Sequence, residues 1–189
     1  MSEIDLRQLY GEPRELVREA YVPFLDDTAQ RFIRASRLLL ISSCNDEGFM
    51  DISPRGGAAG FIRIIDKRTI EFLDMPGNKK ILTLSNVIKN NKVGLMFVVS
   101  GTQELLRAYG TVELIHDEQE ITDFGGHTSR NKILVRVNLK KVFPHCGKAM
   151  AASDLWNHET WHGDTSEKVP GLVDMAKSMA IARQQDDDK

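Results

Sequence analysis

Between Arg37 and Leu73 four short apolar segments follow one another with little but turn residues between them, and this spacing constrains the fold more than any other feature of the chain. Leu38-Leu39-Leu40-Ile41-Ser42-Ser43 runs to Asn45-Asp46-Glu47-Gly48, and Phe49-Met50-Asp51-Ile52-Ser53 follows: strand, turn, strand. Pro54 to Gly60 then leads into a second hairpin, Phe61 to Ile65 and Thr69 to Leu73 around Asp66-Lys67-Arg68. Val93 to Val99 is a nearly unbroken apolar run, as a buried strand requires. Leu105 to Ile115 and Lys132 to Val142 read as two more. About seven strands with one internal helix leave little room for crossover helices. They predict a mainly β fold with peripheral helices, an antiparallel sheet closed into a small barrel rather than a doubly wound sheet.

The internal helix carries an electrostatic oddity. After the turn signal Pro76-Gly77, Asn78 is a good N-cap, and Ile81, Leu84 and Ile88 recur at helical spacing until Asn90-Asn91. A helix is therefore expected from near Asn78. Lys79 and Lys80 would then lie in its first turn, where the macrodipole is already positive and the first N–H groups point outward unpaired. Two cations there repel the helix end unless an anion sits against it, so the stretch reads as a phosphate socket. Two solvated lysines on a surface helix are the plainer alternative.

Flanking this region, the apolar positions from Pro13 to Ser36 fall mostly at helical intervals and are interrupted by Pro23, which suggests two short helices. Beyond the last strand come a short helical piece at Lys148 to Ala152, an aromatic segment around Trp156 and Trp161, and a helix from Leu172 to Arg183, with a polar end expected to fray. At 189 residues one domain is the default: a helical segment 1–36, a barrel 37–143 and a helical and aromatic segment 144–189. A formal net charge of -2 argues against nucleic acid as the main partner. No apolar run approaches the roughly 20 residues of a membrane span. The first residues lack a basic region with an apolar core, and Cys44 and Cys146 are too few for a disulfide framework, so a cytoplasmic location with free thiols is expected.

Three groups of residues could carry chemistry. Ser53-Pro54-Arg55-Gly56-Gly57 puts an arginine fork beside glycines at a strand end, where backbone can approach a ligand closely. Arg107, within the apolar strand Leu105-Leu106-Arg107-Ala108-Tyr109-Gly110, needs a partner, whether an ion pair or a ligand, or an exit to solvent. His158-Glu159-Thr160-Trp161-His162 fits the H-E-x-x-H zinc pattern, which on a helix would place both imidazoles on one face with the glutamate as base. Gly163-Asp164 shortens any such helix, no third ligand is obvious, and a Trp-rich loop is the plainer reading. No Gly-x-Ser-x-Gly, Walker or dinucleotide fingerprint is present.

Taken in order, Asp51-Ile52-Ser53-Pro54-Arg55-Gly56, a hairpin, Pro76-Gly77-Asn78-Lys79-Lys80, a helix with Asn86 and Asn90, Val93-Gly94-Leu95-Met96-Phe97 and Leu106-Arg107-Ala108-Tyr109-Gly110 resemble the pyridoxamine 5'-phosphate oxidase-like, FMN-binding split-barrel superfamily. The likeness covers roughly Arg31 to Leu155 and is closest to an uncharacterised FMN-binding branch, whose tail resembles Phe143-Pro144-His145-Cys146-Gly147-Lys148-Ala149 and Leu155-Trp156. The resemblance implies a homodimer of split barrels with FMN in clefts at the subunit interface. Lys79 and Lys80 match the basic pair on the FMN phosphate, with Asn78 capping the phosphate helix. Ser53, Arg55 and Gly56 match the strand end along the flavin. Asn86 and Arg107 are further cofactor-binding candidates that would act from the other subunit, and Trp156 looks like the C-terminal aromatic near the ring. Nothing after Trp156 matches the Arg-x-His segment of true pyridoxamine phosphate oxidases, so the implied function is an FMN-dependent oxidoreductase acting on an unknown small molecule. Some members of the superfamily use a deazaflavin in place of FMN; the alternatives here are a carrier or sensor of flavin or haem, the latter with His145, His158 or His162 as axial ligand, and a zinc hydrolase built on His158, Glu159 and His162.

Overall fold

The computed structural model describes residues 2–75, 77–161 and 169–187. These fall into two compact units, Met1–Ala152 and Ser153–Lys189.

The first unit opens with α1 (Glu3–Tyr10), α2 (Glu15–Glu19) and α3 (Asp27–Ala35). The sequence expectation of two helices here missed α1, which buries no residue and is held by a capping box between Ser2 and Asp5. α3 is anchored: Asp26 caps it by accepting from the Ala29 N–H at 2.8 Å, and Ala29 and Ile33 enter the core. At its end the fully buried Ser36 hydroxyl donates to the Val98 carbonyl at 2.8 Å, which ties the helix exit to the sheet.

Seven strands follow: β1 (Leu38–Cys44), β2 (Met50–Gly56), β3 (Arg63–Asp66), β4 (Thr69–Leu73), then, after α4 (Leu82–Lys89), β5 (Lys92–Val98), β6 (Leu105–Ile115) and, after α5 (Glu118–Asp123), β7 (Leu134–His145). They form one sheet in the order β2-β1-β5-β6-β7-β4-β3, antiparallel at every pairing. β2 and β3 are the two ends of that order and form no ladder with each other among the described residues, which accords with the split barrel that the resemblance implies. Alternation sets the inside: Leu39 and Ile41 of β1, Leu95 and Phe97 of β5, Ala108 and Val112 of β6 and Val137 of β7 meet in one core. The register of β6 against β7 slips by one residue at Tyr109/Gly110. Gly110 permits the close approach there, since a Cβ on it would stand 2.7 Å from the Asn138 carbonyl oxygen.

α6 (Lys148–Ala152) completes this unit. The second unit holds a 3-10 turn at His158–Thr160 and α7 (Leu172–Asp187), which runs past Arg183 where fraying was expected. Among the described residues no helix is long and apolar enough to cross a membrane.

Candidate functional site

A cleft of about 580 Å³ opens in the first unit, within the range of small-molecule and cofactor sites. It is lined by the end of β2 from Ser53 to Gly56, by Phe61, by Leu73 to Met75 and Gly77 to Leu84 between the end of β4 and the first turn of α4, and by Arg130, Lys132 and Ile133 ahead of β7. Six of the sequence candidates meet here, namely Ser53, Arg55, Gly56, Asn78, Lys79 and Lys80.

Their local geometry corrects one expectation. α4 begins at Leu82, not near Asn78, and Ile81 is its N-cap without a side-chain hydrogen bond. Asn78 therefore does not cap the helix. Its Oδ1 accepts from the Lys80 N–H at 3.0 Å, closing a turn ahead of the helix. Lys79 and Ile81 have positive φ, 64° and 47°. For a β-branched residue such as Ile81 this backbone region is strained. The lysines thus sit on a folded turn at the cleft wall, one step before the helix.

Arg55 and Asp74 form an ion pair within the cleft, Nε to Oδ1 at 3.4 Å, and about a fifth of each side chain remains accessible. Burial pushes the Asp74 carboxyl above its ordinary range, and the Arg55 guanidinium pulls it partly back. The Asp74 backbone is fixed as well, because its N–H donates to the Ile133 carbonyl at 3.0 Å and its carbonyl accepts from Asn131 Nδ2 at 3.4 Å. These bonds continue the β4/β7 pairing and bring Arg130 and Lys132 to the cleft. Lys132 Nζ donates to the Thr128 carbonyl at 2.7 Å. Arg55, Lys79, Lys80, Arg130 and Lys132 face one carboxylate, Asp74, among the described lining residues, so the cleft is electropositive.

Asp74, Arg130 and Lys132 escaped the sequence reading. Asp74 closes an apolar strand, and Arg130-Asn131-Lys132 precedes another, so the signal was a charge beside a strand end. Only the β4/β7 pairing makes those two ends neighbours.

The remaining candidates lie elsewhere. Asn86 does not line the cleft; it is buried on α4 and donates to Ser43 Oγ of β1 at 3.0 Å, while Thr83 donates to Asp51 Oδ2 at 3.2 Å. Both bonds seat α4 on the sheet. Arg107 is also absent from the lining. It donates to the Tyr109 hydroxyl at 3.2 Å and lies over the Phe143 ring at 5.1 Å from its centroid. Trp156 belongs to the second unit. His158 and Glu159 form a single 3-10 turn instead of the helix a zinc motif needs, and His162 lies outside the described residues. Among the described residues no group of three His, Cys, Asp or Glu is placed to hold a metal ion.

The family model described as pyridoxamine 5'-phosphate oxidase matches residues 25–146, well over half the chain. The chain belongs to the pyridoxamine 5'-phosphate oxidase family. The match spans the whole sheet and every lining segment of the cleft. Among solved structures, HupZ of Group A Streptococcus is 18% identical, with a TM-score of 0.52, over 64% of this chain and 93% of that one. A Lactobacillus delbrueckii protein provisionally named a pyridoxamine 5'-phosphate oxidase is 17% identical, with a TM-score of 0.53, over 65% of this chain and 95% of that one. At such identities these likenesses speak to the fold. Comparison with curated proteins gives no match.

Proposed function

We propose that this member of the pyridoxamine 5'-phosphate oxidase family binds FMN in the cleft and serves as an oxidoreductase toward a small molecule. The observation that carries the reading is the convergence of Lys79 and Lys80 with the Ser53–Gly56 strand end in one electropositive cleft of cofactor size. The donor set fits the group: two flexible ammonium groups suit a phosphate dianion, and the Arg55 fork suits a planar ring rich in carbonyls. When bound, the flavin supplies the electron or hydride transfer. The chain's own residues bind and orient it. Asn78 holds the turn that presents the lysines, Asp74 holds Arg55, and Asn131 fixes the strand that carries Asp74.

The reading extends to a homodimer with Arg107 reaching the partner's flavin. It is supported by the outer face of the sheet, where exposed Met50 and Ile52 of β2 stand on the same side as Leu40 of β1, Met96 of β5 and Arg107 of β6. An apolar face of this kind is suited to a second copy of the chain. A cytoplasmic setting belongs to the same reading and accords with the unpaired thiols of Cys44 and Cys146.

The absorption spectrum of the purified protein, with identification of the chromophore released on denaturation, tests the cofactor. A flavin spectrum and released FMN are expected; a Soret band, or a colourless protein that refuses FMN, contradicts the proposal. Mixing the loaded protein with NADH or NADPH without oxygen then tests the activity, and bleaching of the flavin band is the outcome expected of a reductase. A carrier role is the second reading and would leave the band unbleached by either donor.

A further inference from the structure

Arg55 and Asp74 retain hydrogen-bonding capacity that the fold does not use. Arg55 meets Asp74 Oδ1 through Nε and donates through Nη1 to the Pro54 carbonyl at 3.0 Å. Asp74 Oδ2 and Arg55 Nη2 make no hydrogen bond to the described residues. A donor and an acceptor therefore stand side by side in the cleft, and both are held from elsewhere. Arg55 sits on β2 opposite Leu39, and Asp74 is clamped by Asn131 and Ile133. Such a pair is complementary to a ligand edge that offers an N–H beside a C=O. It is poorly matched to a carboxylate or phosphate, which brings acceptors only and would be repelled by Asp74. The other cations of the cleft are suited to those anionic groups, whereas this pair is not.

Resting on the flavin reading above, we propose that Asp74 is a specificity-determining residue: with Arg55 it reads the imide edge of the flavin ring, the carboxylate accepting from the ring N3–H and the guanidinium donating to the neighbouring carbonyl. The same edge is present in FMN, riboflavin and deazaflavins, so this recognition selects the ring system, while the lysine turn selects the phosphate.

The test compares FMN with 3-methyl-FMN, which lacks that N–H, in fluorescence titrations of the full-length apoprotein and of Asp74→Ala and Asp74→Asn. The wild type should prefer FMN by about tenfold or more, the usual worth of one hydrogen bond to a charged group. Asp74→Ala should bring the two ligands within about twofold, and Asp74→Asn, which keeps an acceptor oxygen, should retain part of the preference. Equal affinities in the wild type, or an undiminished preference in Asp74→Ala, would overturn the proposal and leave FMN binding intact. If neither ligand binds the wild type, the flavin reading fails together with it. A measurement free of variants is the N3–H proton resonance of ¹⁵N-labelled FMN bound to the wild type: a downfield shift from free FMN is expected, and an unshifted resonance contradicts the assignment.

Discussion

Asp74 stands under two opposing influences, burial that disfavours its charge and Arg55 that favours it, and the balance leaves its carboxyl above the ordinary range. The linkage has a definite sign. A carboxyl whose pKa is higher folded than unfolded favours the native state most when protonated, below its unfolded pKa, and this contribution is lost as pH rises through the folded value. Asp74→Asn has no such titration. In urea unfolding, its stability relative to wild type should therefore increase as pH is raised through the aspartate range; a relative decrease would mean that pairing with Arg55 outweighs burial. At this scale the sequence was partly legible. Arginine beside glycines and a pair of lysines drew attention because of their chemistry. Asn78 was misread because the residue types that cap helices also close local turns, and φ cannot be read from a string of letters.

Between single residues and the whole sheet lies the element α5, which the sequence reading passed over because six residues with one buried position, Ile121, carry too little periodicity. It is held by a charge cluster. Arg136 of β7 lies 2.6 Å from Glu71 Oε1 of β4, 2.7 Å from Glu120 Oε2 of α5 and 3.7 Å from Glu113 Oε2 of β6. Glu71 and Glu113 are its direct cross-strand neighbours. Glu71 is 4% exposed, and Arg136 is the cation that meets it at that depth. Arg136→Met should destabilise the fold by about 3 kcal/mol, measured by denaturant unfolding near neutral pH, because a nearly buried carboxylate is left uncompensated. Glu113→Gln, at the exposed and distant end of the cluster, should cost no more than about 0.5 kcal/mol. Equal losses in the two variants would show that burial of Glu71 does not govern the cluster. The strands were easier to read than this helix. Leu105–Ile115 was placed correctly because its apolar residues alternate and packing demands that they do, whereas β3 begins two residues later than its apolar run suggested.

For the molecule as a whole, an antiparallel sheet of about seven strands followed from hairpins and turns and its split form from the family resemblance, but the strand order did not, since sequence gives pairing partners only where a tight turn joins them. The cleft was legible only in halves: its β2 wall and lysine turn could be read locally, while Asp74, Arg130 and Lys132 required the long-range β4/β7 pairing. The proposed dimer rests on the outer face of the sheet. Ile52 is 67% exposed, so Ile52→Glu should leave the folded unit intact yet place a charge in the apolar face that a second copy would cover. Light scattering after gel filtration should show a wild-type dimer and a variant shifted toward monomer, with flavin affinity reduced in step if Arg107 acts across the interface. A wild type that is monomeric at micromolar concentration contradicts the dimer.

In the proposed function the turn before α4 holds the phosphate of a flavin bound in the cleft. The most direct measurement is titration of FMN and riboflavin into the apoprotein and into Lys79→Ala/Lys80→Ala. Because riboflavin lacks the phosphate, the double variant should lose affinity for FMN by about a hundredfold while that for riboflavin changes by less than about threefold. Equal losses for the two ligands, or none for either, would mean that the lysine turn is not a phosphate site.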